Sequence, residues 1–589
     1  MIRLMGDFET TTNKDDCRVW ATSICNIDLV EEIYTNPAKK HHIVKTWNSI
    51  EPLFTYLESI KEQKELYFHN LKFDGKFILD YIIKNGYTYS DDLDSEKTFN
   101  CLITDSNIFY AIEICHGVHE VKKRNGKVSY KRNTTTIYDS SKKIPLPVRS
   151  IPKAFDIPNA KLEIDYQGDR PVGHVLTQEE IDYIEEDVII VARALKQFFN
   201  DGMEKMTLSS DALHHFKLLH SKNNPKMMKQ MFRNTFPLLD PHIDDFSRKA
   251  YKGGYTFVQP HQANKIHGDG IVYDVNSLYP SVMYHKPMPW GHPRYYTGFY
   301  YDEENEHLHR DYPLFIQRFT CCFKVKDKHL PTVQIKNNFR FKETEYLTSC
   351  DQPVELYMTS VDFELFIDHY NIYDYEFIEG YAFRQRYNVF KDYIDYWGEI
   401  KAKSSGGKRT LAKLMLNSLY GKFATNPKSI IRIPYIDESG KVCYMNREED
   451  DREPCYTPLG AFVTAYAREV TIRTAQSVYD RFIYCDTDSI HLIGHEIPDI
   501  NIHDSRLGAW KCEGKFVKAK FLRAKTYMEE YLNEDGSTRL DVKCAGMPDN
   551  GKKMVTFENF HVGSSFPGKL RPVTVPGGVV LEDIYFTIQ

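Results

Sequence analysis

The sequence predicts a multidomain chain of mixed class, an α/β unit of roughly 200 residues followed by an α+β region. Three observations point there. The N-terminal stretch alternates strand-like and helix-like periodicity, the pattern of an α/β fold. After about Gly202 that alternation gives way to basic, aromatic and proline-bearing sequence. At 589 residues the chain is long enough for roughly three to five structural units.

The elements follow in order. "RLMGDFETTT" alternates as a strand does, and "ELYFHNLKFDGKFILDYIIKNG" reads as a strand running into a helix. "TQEEIDYIEEDVIIVARALKQFF" has apolar residues at every third or fourth position, with Thr177 and Glu180 set as a capping box. A basic helical stretch, "HHFKLLHSKNNPKMMKQMFRNT", leads to "YKGGYTFV" and the strand-like start of "GIVYDVNSLYPSVMY". From about Lys286 to Asn388 the chain carries short strand-like runs without a catalytic constellation. Helical "KRTLAKLMLNSLYGKF" comes next, then the hairpin signal "DESGKV", then "YTPLGAFVTAYARE". "RFIYCDTDSIHL" reads as two short strands around a turn, and "KLRPVTVPGGVVLEDIYFTIQ" ends the chain in short strands.

Composition narrows the class. Hydrophobic content of 42% and aromatic content of 14% permit substantial cores. The net charge of −6 gives no global nucleic-acid signature, yet eight Lys or Arg and no acid lie between Lys401 and Arg432. Local positive tracts in an acidic chain suit a protein that grips phosphate inside a channel. The 12 Cys form no CxxC pair, as expected of reduced thiols in a cytosol-like compartment. No apolar run is long enough to span a bilayer, and the start lacks a signal peptide's apolar region.

Two sets of acids carry the chemistry. Asp7 and Glu9 are two apart on a strand and share a face. "HNLKFD" adds Asn70 and Asp74, and "YIEED" adds Tyr183 and Asp187, four apart on one helix face. Asp7, Glu9, Asp74 and Asp187 are about what two magnesium ions need for phosphodiester cleavage, with Tyr183 to orient the water. In the second set, Asp486 and Asp488 flank one threonine, and such close like charges call for a cation or a proton. Asp274, at the end of an apolar strand, pairs with Asp488 as the core of a second two-metal centre for transfer to a 3′-hydroxyl. Lys413, Asn417 and Tyr420 recur at helical spacing, as a triphosphate site requires.

"DVNSLYPS", "KLMLNSLYGKF" and "YCDTDS", in that order, resemble the three polymerase motifs of family B DNA polymerases, and the N-terminal acids resemble that family's three exonuclease motifs. "YKGGY", "KTY" and the extra sequence between polymerase motifs resemble the protein-primed, phi-twenty-nine-like subgroup of bacteriophages with linear genomes. The resemblance runs through essentially the whole chain. It implies a ribonuclease-H-like 3′–5′ exonuclease domain (1–207) followed by a right-hand polymerase domain. There the palm comprises 208–285 and 457–544, the fingers 389–423 and the thumb 545–589. Two terminal-protein-region inserts, 286–388 and 424–456, interrupt it.

The same resemblance implies site roles. Asp274 and Asp488 are polymerase metal ligands, with the Val275 carbonyl and Asp486 close by. Lys413 and Lys401 contact the triphosphate, Tyr420 and Asn417 the nascent base pair, and Tyr279 excludes a 2′-hydroxyl. Tyr484, Lys525 and Tyr527 hold the primer terminus, and Tyr251, Gly253 and Gly254 couple synthesis to editing. In the editing site Asp7, Glu9, Asp74 and Asp187 hold metal, Tyr183 orients water, and Lys161 is an auxiliary cation. Thr10, His69, Asn70, Phe73 and Ser140 hold a single-stranded 3′ end. In "YDSS" this chain departs from the family, with Ser141 where the pattern has Leu.

Implied cofactors are two Mg²⁺ per active site, with Mn²⁺ as a substitute. Implied partners are template-primer DNA, dNTPs, a phage terminal protein as primer and a single-stranded-DNA-binding protein. The chain is expected to be a monomer, or a heterodimer with terminal protein, in the host bacterial cytoplasm. The first insert would contact terminal protein and DNA; the second would help encircle DNA, giving processivity and strand displacement. Three readings compete: a family B polymerase using ordinary nucleic-acid primers, a catalytically silent DNA-binding scaffold, and an exonuclease alone. The inserts weigh against the first, the intact acid motifs against the second, and Asp274, Lys413 and Asp488 against the third.

Overall fold

The strand Ile2–Thr10 lies at the centre of an eight-stranded sheet, and its alternation sorts the first core into two layers. Leu4 and Phe8 point to one face and pack with Leu66, Phe68, Phe77 and Ile78, under the helix Leu71–Lys84. Met5 points to the other and packs with Val188 and Val191 of the helix Gln178–Asn200. The period of two therefore places Asp7 and Glu9 on the side of that second helix. Its start is the expected capping box, in which Thr177 accepts from the Glu180 amide and Glu180 reaches back to Thr177. This is a computed structural model, and it describes residues 1–122, 128–165, 168, 170–334, 346–449 and 452–589.

A second sheet is antiparallel. Its strands run in the order Thr538–Cys544, Thr526–Leu532, Trp510–Arg523, Gly270–Val275, Ser489–Ile493, Phe482–Asp486 and Thr256–Val258. Gly270 sits where the sheet folds tightly: a Cβ there would lie 1.9 Å from the Phe516 ring. The register sets Asp274 opposite Ser489, so the "DTD" turn closes beside the end of the Asp274 strand. Helix Thr457–Ser477 packs beneath this sheet, and helices Lys391–Lys403 and Gly406–Ser418 stand as a pair beside it.

Two sequence expectations change. The middle segment is built mainly on long strands: Met288–Thr297, Tyr370–Arg386, Leu314–Val325 and Ser349–Thr359 form a four-stranded sheet, with only the two-residue pair Val333–Gln334 and Tyr346–Leu347 as short runs among the described residues. It has its own core around Tyr300, Phe315, Phe319 and Phe366. Bulges and twist break the polar–apolar alternation that marks long strands in sequence. The basic stretch before "YKGGY" is two helices, Leu208–His220 and Met228–Thr235, interrupted by the turn around Asn223 and Pro225.

"DESGKV" is the tip of the hairpin Ser429–Ile436 and Val442–Glu449; Gly440 has φ 81° and Asp437 accepts from the Ser439 and Lys441 amides. This hairpin docks on the N-terminal unit through an Arg447–Asp91 ion pair at 2.8 Å. The C-terminal strands Ser565–Val575 and Gly578–Thr587, longer than the sequence suggests, form another hairpin whose Val579 and Val580 join the N-terminal core. All 12 cysteines are free thiols. Among the described residues no helix is long and apolar enough to cross a membrane.

Candidate active sites

Asp7 and Glu9 from the central strand, Asp74 from the first turn of the helix Leu71–Lys84, and Asp187 from the capped helix line one cleft of about 670 Å³. Tyr183, Lys161, Thr10, His69, Asn70 and Phe73 line the same cleft. Asn70 adopts a left-handed conformation (φ 77°) at the strand-to-helix turn, its amide donating to Asp139 at 3.1 Å. Ser140 does not reach the cleft: it is fully buried, donates to the Phe68 carbonyl at 3.1 Å and lies 3.0 Å from His69 Nδ1. Any hold it has on a DNA end runs through His69. Ser141 lies inside the short turn Ser140–Lys142, its amide donating to Asp139 at 2.9 Å.

Burial, and then Asp187, pushes Asp7 up to about 7, against the pull of Lys161. Burial and neighbouring carboxylates hold Glu9 and Asp74 well above the ordinary range, and burial raises Asp187. Lys161 donates to Asp187 and lies 3.3 Å from the Tyr183 hydroxyl. The other Asp187 oxygen is buried without a hydrogen-bond partner. Such an oxygen is costly unless a cation satisfies it, so this all-oxygen donor set fits a hard divalent ion. Among the described residues no three His, Cys, Asp or Glu side chains stand close enough together to enclose an ion.

The second site is a cavity of about 500 Å³ lined by Asp274, Val275, Tyr279, Lys401, Lys413, Asn417, Tyr420 and Asp488. The Val275 amide donates to the Asp488 carbonyl at 2.8 Å, which ties the two acidic segments together. Between the acids of the turn, Thr487 has φ 61°, unusual for a β-branched residue. Its amide donates to the Tyr255 carbonyl at 2.7 Å and its own carbonyl accepts from Thr471. Burial, and then Asp488 and Glu513, pushes Asp274 up to about 7; burial and Asp486 raise Asp488. Two oxygen acids at this end of the sheet again fit a divalent ion.

Lys401 donates to Ser277 at 3.0 Å, and burial with Lys413 and Arg409 pulls its ammonium down. A half-buried Lys401 beside exposed Lys413 and Arg409 gathers positive charge that suits a polyanion. Tyr279 and Tyr420 stack with centroids 4.1 Å apart and planes 11° from parallel. Asp486 faces away from this cavity, 3.0 Å from Thr256 Oγ1 and 3.3 Å from Lys525 Nζ. The Tyr484 ring is buried; its hydroxyl donates to Asp486 at 3.3 Å and accepts from the Lys525 amide at 3.0 Å. Tyr527 packs on that ring at 4.9 Å.

The loop Tyr251–Tyr255 passes against the turn. A Cβ on Gly254 would lie 2.7 Å from Thr487 Oγ1, so only glycine fits there. Arg468 donates to the carbonyls of Lys252 and Gly253, each at 2.8 Å, and pairs with Asp362. Sequence reasoning missed Ser277, although it lies inside "DVNSLYPS". It also missed Leu570, Val580 and Asp583, which close the first cleft from the far end of the chain. No local pattern marks those three.

The family model for DNA polymerase type B, organellar and viral, matches residues 55–507. The chain is 44% identical to the DNA polymerase of Bacillus phage Nf and 43% identical to that of Bacillus phage phi29, each over 99% of this chain and 98–99% of the relative. It is 33% identical to the DNA polymerase of Streptococcus phage Cp-1, over 99% of this chain and 98% of that one. The structure is similar to phi29 DNA polymerase complexed with primer-template DNA, with a TM-score of 0.89 at 41% identity over 100% of both chains. It is equally similar, at 42% identity, to phi29 DNA polymerase in a ternary complex with primer-template DNA and incoming nucleotide. These full-length likenesses carry the fold with them, an exonuclease unit joined to a palm, fingers and thumb. The chain belongs to the organellar and viral type B DNA polymerases and is a DNA-directed DNA polymerase of the phi29 type.

Proposed function

We propose that this polymerase replicates a linear phage genome from a terminal-protein primer, edits with a separate 3′–5′ exonuclease site and displaces the strand ahead of it. The observation that supports this most is the presence of two carboxylate clefts in one chain, each built from different elements. Its substrates are then template-primer DNA and dNTPs, as in the phi29 complexes. A phage enzyme of this kind works in the host cytoplasm.

In the synthetic site, Asp274 and Asp488 would hold two divalent ions, Mg²⁺ or Mn²⁺, which supply Lewis-acid activation of the attacking and leaving oxygens. Lys401 and Lys413 bind the triphosphate and neutralise charge as pyrophosphate leaves the α-phosphorus. Tyr420 and Asn417 seat the base pair, and Tyr279 occupies the space a 2′-hydroxyl needs. Lys525 and Tyr527 grip the primer end, backed by Tyr484. In the editing site Asp7, Glu9, Asp74 and Asp187 would hold the ions; Tyr183 orients water, and Lys161 balances charge at Asp187. His69, Asn70, Phe73 and Thr10 receive the frayed strand. The loop Tyr251–Tyr255 then guides the DNA end between the sites, its glycines allowing close backbone approach.

The domain limits that accompany this reading are 1–207 for the exonuclease, 208–285 and 457–544 for the palm, and 389–423 for the fingers. The inserts are 286–388 and 424–456, and the thumb is 545–589. The test is to incubate the protein with its cognate terminal protein, labelled dNTP and magnesium. A nucleotide joined covalently to the terminal protein is the expected result. Extension of DNA primers without any labelled terminal protein would leave an enzyme that uses ordinary primers.

A further inference from the structure

The strands Ser489–Ile493 and Thr526–Leu532 belong to one sheet but are not neighbours; Gly270–Val275 and Trp510–Arg523 lie between them in strand order. The sheet curls enough that their side chains nevertheless meet. Ile490 and Leu492 face the large core, so alternation turns His491 to the concave side, among Val272, Tyr484, Phe516 and Phe521. There His491 Nδ1 lies 2.7 Å from Glu529 Oε1, with side-chain exposures of 2% and 3%. A carboxylate only accepts, so Nδ1 is the donor. The second Glu529 oxygen accepts from the Tyr531 hydroxyl at 2.8 Å, and His491 Nε2 lies 3.5 Å from Ser489 Oγ, next to Asp488.

Each partner of this buried contact leaves the other unsatisfied if removed, so the contact ties two strands that are not neighbours in the sheet. The geometry it fixes here is specific. The His491 ring packs on Tyr484 at 5.1 Å and on Tyr527 at 5.2 Å. Tyr484 in turn meets the Lys525 amide and Asp486. The two strands that flank the catalytic turn are thus each joined to the segment Lys525–Tyr531, Phe482–Asp486 through Tyr484 and Asp486, and Ser489–Ile493 through His491.

We propose that His491 and Glu529 are positioning residues for the primer terminus, holding the catalytic turn and the segment of Lys525 and Tyr527 in fixed relation. This rests on the reading that Tyr484, Lys525 and Tyr527 hold the primer end. The test uses the full-length protein, with single-nucleotide addition on a labelled primer-template and degradation of a single-stranded oligonucleotide measured side by side. Glu529→Ala is expected to raise the KM for primer-template about tenfold with little change in kcat, and to leave single-strand degradation unaltered. Glu529→Gln keeps an oxygen that accepts from Nδ1, and is expected to restore KM to within about twofold of the parent. An alanine variant with the parent's KM, or a glutamine variant as impaired as the alanine one, overturns the proposal. Should Glu529→Ala not fold, Tyr531→Phe removes one hydroxyl and little else; it is expected to raise KM about threefold, and an unchanged KM overturns the proposal. Lys525→Ala separates the two layers. An unchanged KM there removes the primer-grip reading itself, whereas a raised KM beside an unaffected Glu529→Ala removes only the positioning role.

Discussion

At Tyr279 the proposed choice of substrate rests on one ring. Its ring is held flat against Tyr420, beside Lys413 and the two acids, so its position is fixed before any nucleotide arrives. Replacing Tyr279 with Val opens that space and is expected to raise ribonucleotide incorporation by roughly tenfold or more, measured as alkali-labile product. Unchanged incorporation would remove the steric role. The acids make a pH prediction of definite sign. Asp7 and Asp274, pushed up to about 7 by burial and by their neighbours, keep protons that a divalent ion must displace. Metal binding is therefore expected to tighten as pH rises from 6 to 8, with proton release seen by calorimetry in two buffers. Without metal these groups favour folding at low pH and lose that contribution as pH rises through 7, so added Mg²⁺ should raise the melting temperature more at pH 8 than at pH 5. Asp7 with Glu9, and Tyr183 with Asp187, were legible in the sequence because their spacing is local: two apart on a strand, four apart on a helix. The role of Ser140 was not, since its hydroxyl faces His69 and a backbone carbonyl and not the cleft.

At the scale of elements, the helix Gln178–Asn200 announced its start by Thr177 and Glu180 and its buried face by periodicity. Thr177→Ala is expected to cost about 1 kcal/mol. Because that helix carries Tyr183 and Asp187, editing should be lost at a lower temperature than synthesis when the two are assayed separately after heating. The hairpin Ser429–Glu449 was legible from its turn, but its docking was not. Arg447 and Asp91 are far apart in sequence, and an isolated arginine gives no sign of its partner. The same holds for the C-terminal hairpin: Gly577 donates to Asp80 at 3.2 Å across the whole chain. A Cβ on Gly440 would lie 3.7 Å from Pro576, so the two hairpin tips come together above the N-terminal unit. Replacing residues 429–449 with a short linker is expected to leave single-nucleotide addition near normal while each binding event yields far shorter products.

At the scale of the molecule, two acidic clefts share one frame, the first closed by the C-terminal hairpin and the loop Tyr251–Tyr255 lying against the turn of the second. In the proposed function their separation makes synthesis and editing independent in chemistry and coupled only by movement of the DNA end. The direct measurement follows a 5′-labelled primer on its template with magnesium, with and without dNTPs, for the parent and two variants. Asp274→Ala is expected to lose extension by roughly a thousandfold or more while still shortening a single strand at the parent's rate. Asp7→Ala combined with Glu9→Ala is expected to extend normally and to lose shortening to the same degree. Loss of both activities in either variant, with folding intact, would contradict two separate sites.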